Sequence, residues 1–171
     1  RLAPAVPPAD LTAKQQRTWV AEHSRWIDIP VEKLRPSFKG RSSRAKIQRW
    51  TTTIGEWRTF AEAAAFEPDL SFLNGWLYQA DRQAIERLAA DPYSRVPDVW
   101  HQLMRCSPNH PMVYIDWWMA CAYCAWLNSE RPTSHFEAGA AREFVAPPPE
   151  LLWQFAADSG DGREYPWGAD S

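Results

Sequence analysis

The chain lacks the long apolar run that a membrane span requires. Its longest uninterrupted stretch, residues 117–127, is eleven residues, where a bilayer crossing takes about 20. No charged leader followed by a hydrophobic segment opens the chain, so neither membrane insertion nor secretion is signalled. The first residue is Arg1 rather than Met, and the natural N-terminus is therefore expected to have been removed. A basic excess is missing as well: 19 Lys and Arg stand against 21 Asp and Glu, a formal charge of -2, which argues against nucleic acid as a partner. Cysteine is scarce. Cys106, Cys121 and Cys124 are too few and too odd in number for a disulfide framework, so a reducing, cytoplasmic setting is expected.

What the chain has in quantity is large aromatic surface. Eleven tryptophans in 171 residues mean that bulky rings, rather than regular aliphatic layers, fill much of the interior. With 45% hydrophobic and 23% charged residues, the composition is that of a soluble globular protein with one main domain. Residues 1–10 carry prolines and alanines without an apolar period and suit a linker or arm, extending to about residue 23, with a short helix possible over 11–24. Trp26, Ile27, Asp28 and Ile29 alternate like a brief strand that Pro30 ends. Residues 33–46 are turn-rich and basic, with Lys33, Arg35, Lys39, Arg41, Arg44 and Lys46, and read as a solvated loop.

Helix signals follow. Thr53-Ile54-Gly55-Glu56 has capping-box spacing, in which each side chain satisfies a free amide of the first turn. Ile54, Trp57, Phe60, Ala61 and Ala64 then lie on one side, and Pro68 closes the segment. A second helix is expected over 81–90, with Ala84, Ile85 and Leu88 together. Val113, Tyr114 and Ile115 form a β-prone run, after which Asp116 is placed to cap a helix over 117–127. Apolar nearly all round, that helix is expected to be buried on most sides. Ser134 and Glu137 make another capping box, and Pro147, Pro148 and Pro149 precede a helix over 150–157. Helices and short strands mix without a βαβ rhythm, giving an α+β class rich in coil.

These residues carry a resemblance. Thr53-Ile54 with Trp57 and Phe60 form a first block, and His110-Pro111-x-Val113 with Trp117, Ala120, Ala122-Tyr123-Cys124 and Trp126-Leu127 a second. Pro148 with Glu150-x-x-Trp153-x-Phe155-Ala156-Ala157, then Gly160-Asp161-Gly162 and Tyr165-Pro166-Trp167-Gly168, complete the series. In order and spacing the series resembles the formylglycine-generating enzyme, or sulfatase-modifying factor, family. The resemblance covers residues 26–171 and implies an irregular, C-type-lectin-like fold with short strands and a buried Trp-rich helix. It fixes a fold better than a function.

The departures bear on function. Where the family commonly has Arg-Leu-Pro-Thr-Glu-Ala-Glu-Trp, this chain has Ala146-Pro147-Pro148-Pro149-Glu150-Leu151-Leu152-Trp153, losing an arginine and the second glutamate. Met119 replaces an acid, Asp158 stands where an arginine is common, and about twelve residues around 134–144 look inserted. The resemblance places the family's catalytic cysteine pair, which holds copper in the oxidase, and its calcium-binding loops after the Tyr-Pro-Trp-Gly turn. No residue of this chain matches that pair. Copper or calcium would then enter only through residues beyond those given, and no cofactor is expected on this chain itself.

Other constellations are present in the sequence. Cys106, His110, Cys121 and Cys124 offer four soft-metal ligands for zinc, but Cys121 and Cys124 lie one turn apart on an apolar helix, where cysteine behaves as a small hydrophobe; the packing reading is preferred. Ser107, His101 or His110, and Asp116 supply triad residue types without any nucleophile elbow, and His110 is better read as a turn residue whose ring caps a backbone group. Trp57, Trp117, Tyr123, Cys124, Trp126, Trp153 and Trp167 are assigned to the structural core. Trp118 follows Trp117 on a helix, so the two side chains point about 100° apart and one must meet another segment or partner. Trp118, Trp76 and Trp167 are therefore the candidate binding residues. The resulting expectation is a non-catalytic recognition or scaffolding module. A protein partner, or further chain, would cover an aromatic face formed by Trp153, Phe155, Tyr165 and Trp167. Two alternatives stand beside it: the N-terminal part of a copper-dependent oxidase acting on a sulfatase-type cysteine, and a ligand-display protein of the retroelement-diversified kind.

Overall fold

The computed structural model describes residues 11, 12, 15, 26–29, 45–48, 50–73, 79–129 and 145–158. The chain divides into two compact units, each discontinuous in sequence: Arg1–Ser24 with Thr51–Pro147, and Arg25–Trp50 with Pro148–Ser171. Strands β1 (Trp26–Ile29) and β2 (Ala45–Gln48) come first, then helix α1 (Ile54–Ala61) and a 3-10 turn at Ser71–Leu73. Helix α2 (Gln79–Ala90), a 3-10 turn at Pro92–Arg95 and the single-turn α3 (Trp100–Leu103) follow, before α4 (Trp117–Ser129) and α5 (Glu150–Asp158). The described structure is mixed, mostly helical with few strands, and no described helix is long and apolar enough to cross a membrane.

Among the described residues the smaller unit holds a helix and a two-stranded ladder. β1 and β2 pair antiparallel, with Trp26 opposite Gln48 and Ile29 opposite Ala45. The second strand falls where the basic loop was expected to run through Lys46; an extended partner for β1 overrides the charge density there. Proline sets the start of α5, whose Leu152 and Trp153 amides both donate to the Pro149 carbonyl. Leu152 packs on Ile29, with Ile47 and Phe155 alongside. Because Leu152 and Phe155 are three residues apart and share a face, Trp153 points away from that cluster and is 59% exposed. It is a surface residue of this unit, not the core residue that the sequence pattern suggested.

In the larger unit every amide at the start of α1 has a partner, as a buried helix end requires. Ile54 donates to the His110 carbonyl at 2.9 Å and Gly55 to the Pro108 carbonyl at 2.8 Å. The Glu56 amide takes the Thr53 hydroxyl, while Glu56 Oε2 accepts from the Thr53 amide at 2.8 Å and from its hydroxyl at 3.0 Å. A single antiparallel bridge, Thr53 to Pro111, fixes the register of that clasp. His110 thus serves through its backbone carbonyl, and its ring lies exposed rather than capping a backbone group. A second reciprocal pair lies far upstream, where the Thr12 amide donates to Gln15 Oε1 and the Gln15 amide to the Thr12 hydroxyl. The remainder of the segment expected to be helical over 11–24 lies outside the described residues, as does the Ser134–Glu137 box.

The core of this unit is a ring cluster around Phe60. Its ring meets Trp57 edge-on at 5.1 Å, Tyr123 edge-on at 5.5 Å and Trp126 at 5.5 Å, while Trp57 stacks on Tyr123 at 5.3 Å. Edge-to-face and stacked pairs of this kind add to simple burial. Ala64, expected on the same side of α1, lies beyond the helix end and is exposed.

Arg95, wholly buried, closes that cluster. Its guanidinium carries five N–H groups, and five carbonyls receive them: Leu88 from Nε at 2.7 Å, Phe60 and Ala63 from Nη1 at 3.0 and 2.7 Å, and Ala64 and Ala89 from Nη2 at 3.3 and 2.7 Å. These are carbonyls at and just past the C-terminal ends of α1 and α2, where a helix leaves acceptors unpaired and favours a cation. The group also lies over the Phe60 and Phe66 rings, 5.2 Å from each centroid, and the Arg95 carbonyl accepts from Trp57 Nε1 at 3.0 Å. At the other end of α4, the Asn128 side chain exchanges two 2.8 Å hydrogen bonds with the Val145 backbone, donating to its carbonyl and accepting from its amide.

Two outcomes are expected. Arg95→Lys, with three donors and no plane, should lower unfolding free energy in urea by about 3–5 kcal/mol; a loss under about 1 kcal/mol would remove the guanidinium from its central place. Burial raises the Glu56 carboxyl above its ordinary 4.5, outweighing the Thr53 contacts that lower it. The folded state therefore holds this proton more tightly than the unfolded one, so stability falls as pH rises from 4.5 through the raised value. Glu56→Gln retains a carbonyl acceptor for the Thr53 amide and should flatten that fall in urea midpoints measured across pH; an unchanged slope would assign the dependence to another group.

Candidate functional site

Helix α4 is the element that presents the most chemistry. Asp116 starts it, Oδ1 accepting from the Met119 amide at 2.8 Å and the backbone carbonyl from Ala120 at 3.1 Å. From Met119 inward the helix is enclosed: Met119 and residues 121–128 are all buried, with α2 packed alongside. Before Met119 the cover stops. Trp117 is 53% exposed and Trp118 40%, so Trp117, assigned to the core from its sequence position, belongs to the surface. An all-apolar helix carries no sequence mark of where its covering begins, and that is why the assignment failed.

The residues leading into α4 are not a strand. Tyr114 has φ 60°, a left-handed conformation that is incompatible with the extended run expected over 113–115 and costs a bulky residue about 1–2 kcal/mol. Its ring is 73% exposed, with Val113 exposed beside it. Trp118 is oriented by α2: its Nε1 donates to Asp81 Oδ1 at 2.9 Å. Tyr114, Trp117 and Trp118 therefore stand within five residues of one another at the open end of the helix. The other two candidate binding residues, Trp76 and Trp167, lie outside the described residues.

The enclosed side of α4 is chemically quiet. Cys121 and Cys124 are buried. Burial pushes the Cys121 thiol up to about 12, with the Asp81 and Asp116 carboxylates adding to the effect, and burial together with Cys121 pushes the Cys124 thiol higher still. Both are protonated at neutral pH and poor as nucleophiles or ligands. Burial likewise raises the Tyr123 hydroxyl, with Glu56 and Cys124 adding to it, and that hydroxyl has no hydrogen-bond partner among the described residues. Trp57, Tyr123, Cys124 and Trp126 all lie in the interior. Cys106 and His110 are exposed, so the four residues of the zinc alternative are not brought together, and among the described residues no group of three His, Cys, Asp or Glu could hold a metal ion.

What the sequence reading missed here is Asp81. By sequence it stands only at the start of the helix expected over 81–90, yet it aims the Trp118 indole of α4. A carboxylate in the first turn of a helix is common, and nothing in its spacing points to a partner 37 residues away. The thiol assignment has a direct check: in the native protein iodoacetamide is expected to modify Cys106 within minutes and to leave Cys121 and Cys124 untouched, with all three modified in urea. Labelling of Cys121 or Cys124 at a rate near that of Cys106 would contradict their burial.

Comparison with known proteins agrees with these blocks. The family model described as the sulfatase-modifying factor enzyme 1-like domain matches residues 13–171. Formylglycine-generating enzymes of Thermomonospora curvata and Streptomyces coelicolor are each 36% identical to this chain over 62 residues, covering 36% of it and 15% of either relative. The match thus spans a small part of those proteins' length. No solved structure matches. With nearly its whole length matched, the chain belongs to the family of sulfatase-modifying factor enzyme 1-like domains.

Proposed function

We propose that this chain is a non-catalytic recognition module built on the sulfatase-modifying-factor fold. The observation that carries the reading is the disposition of its three thiols. A copper-dependent oxidation of the kind the family resemblance implies needs a pair of accessible thiolates. Cys121 and Cys124 are enclosed and held protonated, and Cys106 lies apart from them on the surface. These residues do not fit a copper site. Met119 is buried where the family commonly has an acid, which supports the same reading, because an acid is not tolerated there without a partner.

We take the fold to be of the C-type-lectin type, supported by the short ladder and the enclosed aromatic helix, and the setting to be reducing and cytoplasmic, where unpaired thiols persist. Exposed Trp117, Trp118 and Tyr114 supply the means of recognition, since aromatic residues are enriched at interface centres.

The test is an activity measurement on the full chain. Supplied with copper(I), oxygen and a cysteine-containing sulfatase-type peptide, it is expected to leave the cysteine unmodified by mass spectrometry. Oxygen-dependent conversion of that cysteine to an aldehyde by this chain would overturn the reading in favour of an oxidase.

A further inference from the structure

Tyr114, Trp117 and Trp118 lie on a surface with an unusual charge pattern. From Cys106 to Glu130 the sequence contains no lysine and no arginine, while Asp116 is exposed between Tyr114 and Trp117 and Asp81 meets Trp118 from α2. The open end of α4 therefore combines three rings with two carboxylates. Trp118 is held in place before any partner arrives, and fixed orientation lowers the entropy lost on binding. Tyr114 keeps a left-handed backbone although its side chain is 73% exposed. Such a conformation in a bulky residue points to a role for what it displays.

We propose that this surface docks an arginine-bearing segment of a partner polypeptide. A guanidinium stacks on indole and phenol faces and bonds to a carboxylate in the same plane, so rings interleaved with acids suit it. Asp116 supplies the ion pair, Trp117 and Tyr114 supply faces, and Trp118 with Asp81 forms the wall. A second copy of the chain is disfavoured, because it would set these carboxylates against their own kind. An anionic membrane surface is disfavoured for the same reason. The proposal rests on the recognition reading above and names its partner's chemistry.

The experiment titrates the full chain with an acetylated, amidated Gly-Arg-Gly-Arg-Gly peptide, followed by tryptophan fluorescence and calorimetry. The same peptide with citrulline in place of arginine, and vesicles containing phosphatidylserine, serve as comparisons. The arginine peptide should bind at least tenfold more tightly than the citrulline one. Asp116→Asn, which keeps a good helix cap, and Trp117→Ser should each weaken binding at least fivefold with melting temperature unchanged. Equal binding of the citrulline peptide, no binding of either, or indifference to both substitutions overturns the proposal. So does preferential vesicle binding, or self-association that Trp117→Ser abolishes. Any of these failures leaves the recognition reading standing, since that reading falls only to oxidase activity in the separate assay.

Discussion

The Arg95 guanidinium is the interaction on which the larger unit depends. Two helices, α1 and α2, end near it, and each end leaves carbonyls that a buried position cannot surrender to water. Five N–H groups meet five carbonyls, so one side chain settles both helix ends at once and fixes their separation. The charge is tolerated because it sits at the negative poles of two helices and over two phenyl rings. Its own carbonyl then holds the Trp57 indole, which sets the plane on which Tyr123 stacks. The aromatic core is thus positioned by a cation rather than by aliphatic packing.

Helix α4 divides along its length rather than around its circumference. Its inner three turns are enclosed and contribute rings and protonated thiols to a rigid interior, whereas its first turn carries two tryptophans into solvent. A division around the circumference would have produced the familiar amphipathic pattern. The lengthwise one makes the enclosed part a support for the exposed part, with Asp116 marking the boundary as the residue that starts the helix.

How far the sequence could be read followed from the range of the interactions involved. Thr53 with Glu56, Asp116 with Met119 and the proline start of α5 all act within four residues, and each left a spacing that identified its helix. Arg95 left none: its acceptors are backbone carbonyls, which every residue possesses, six to 35 positions away. Trp117 and Trp153 were misplaced because hydrophobicity states what a side chain prefers and not where its cover ends. The β-prone run at 113–115 yielded to a left-handed Tyr114, and strand β2 emerged from a basic stretch because pairing with β1 is a non-local event. At the candidate surface, Trp118 was legible as a residue in need of explanation, while its carboxylate partner 37 residues earlier was not.

The two hydrogen bonds between Asn128 and Val145 reproduce with a side chain what two peptide groups do in an antiparallel ladder. They bring together points 17 residues apart. Closure entropy grows only logarithmically with loop length, so a lineage can lengthen or replace the intervening segment at small cost while α4 and the chain at Val145 keep their places. A family fold pinned in this way can accept sequence novelty at one fixed location, as a setting accepts one stone after another.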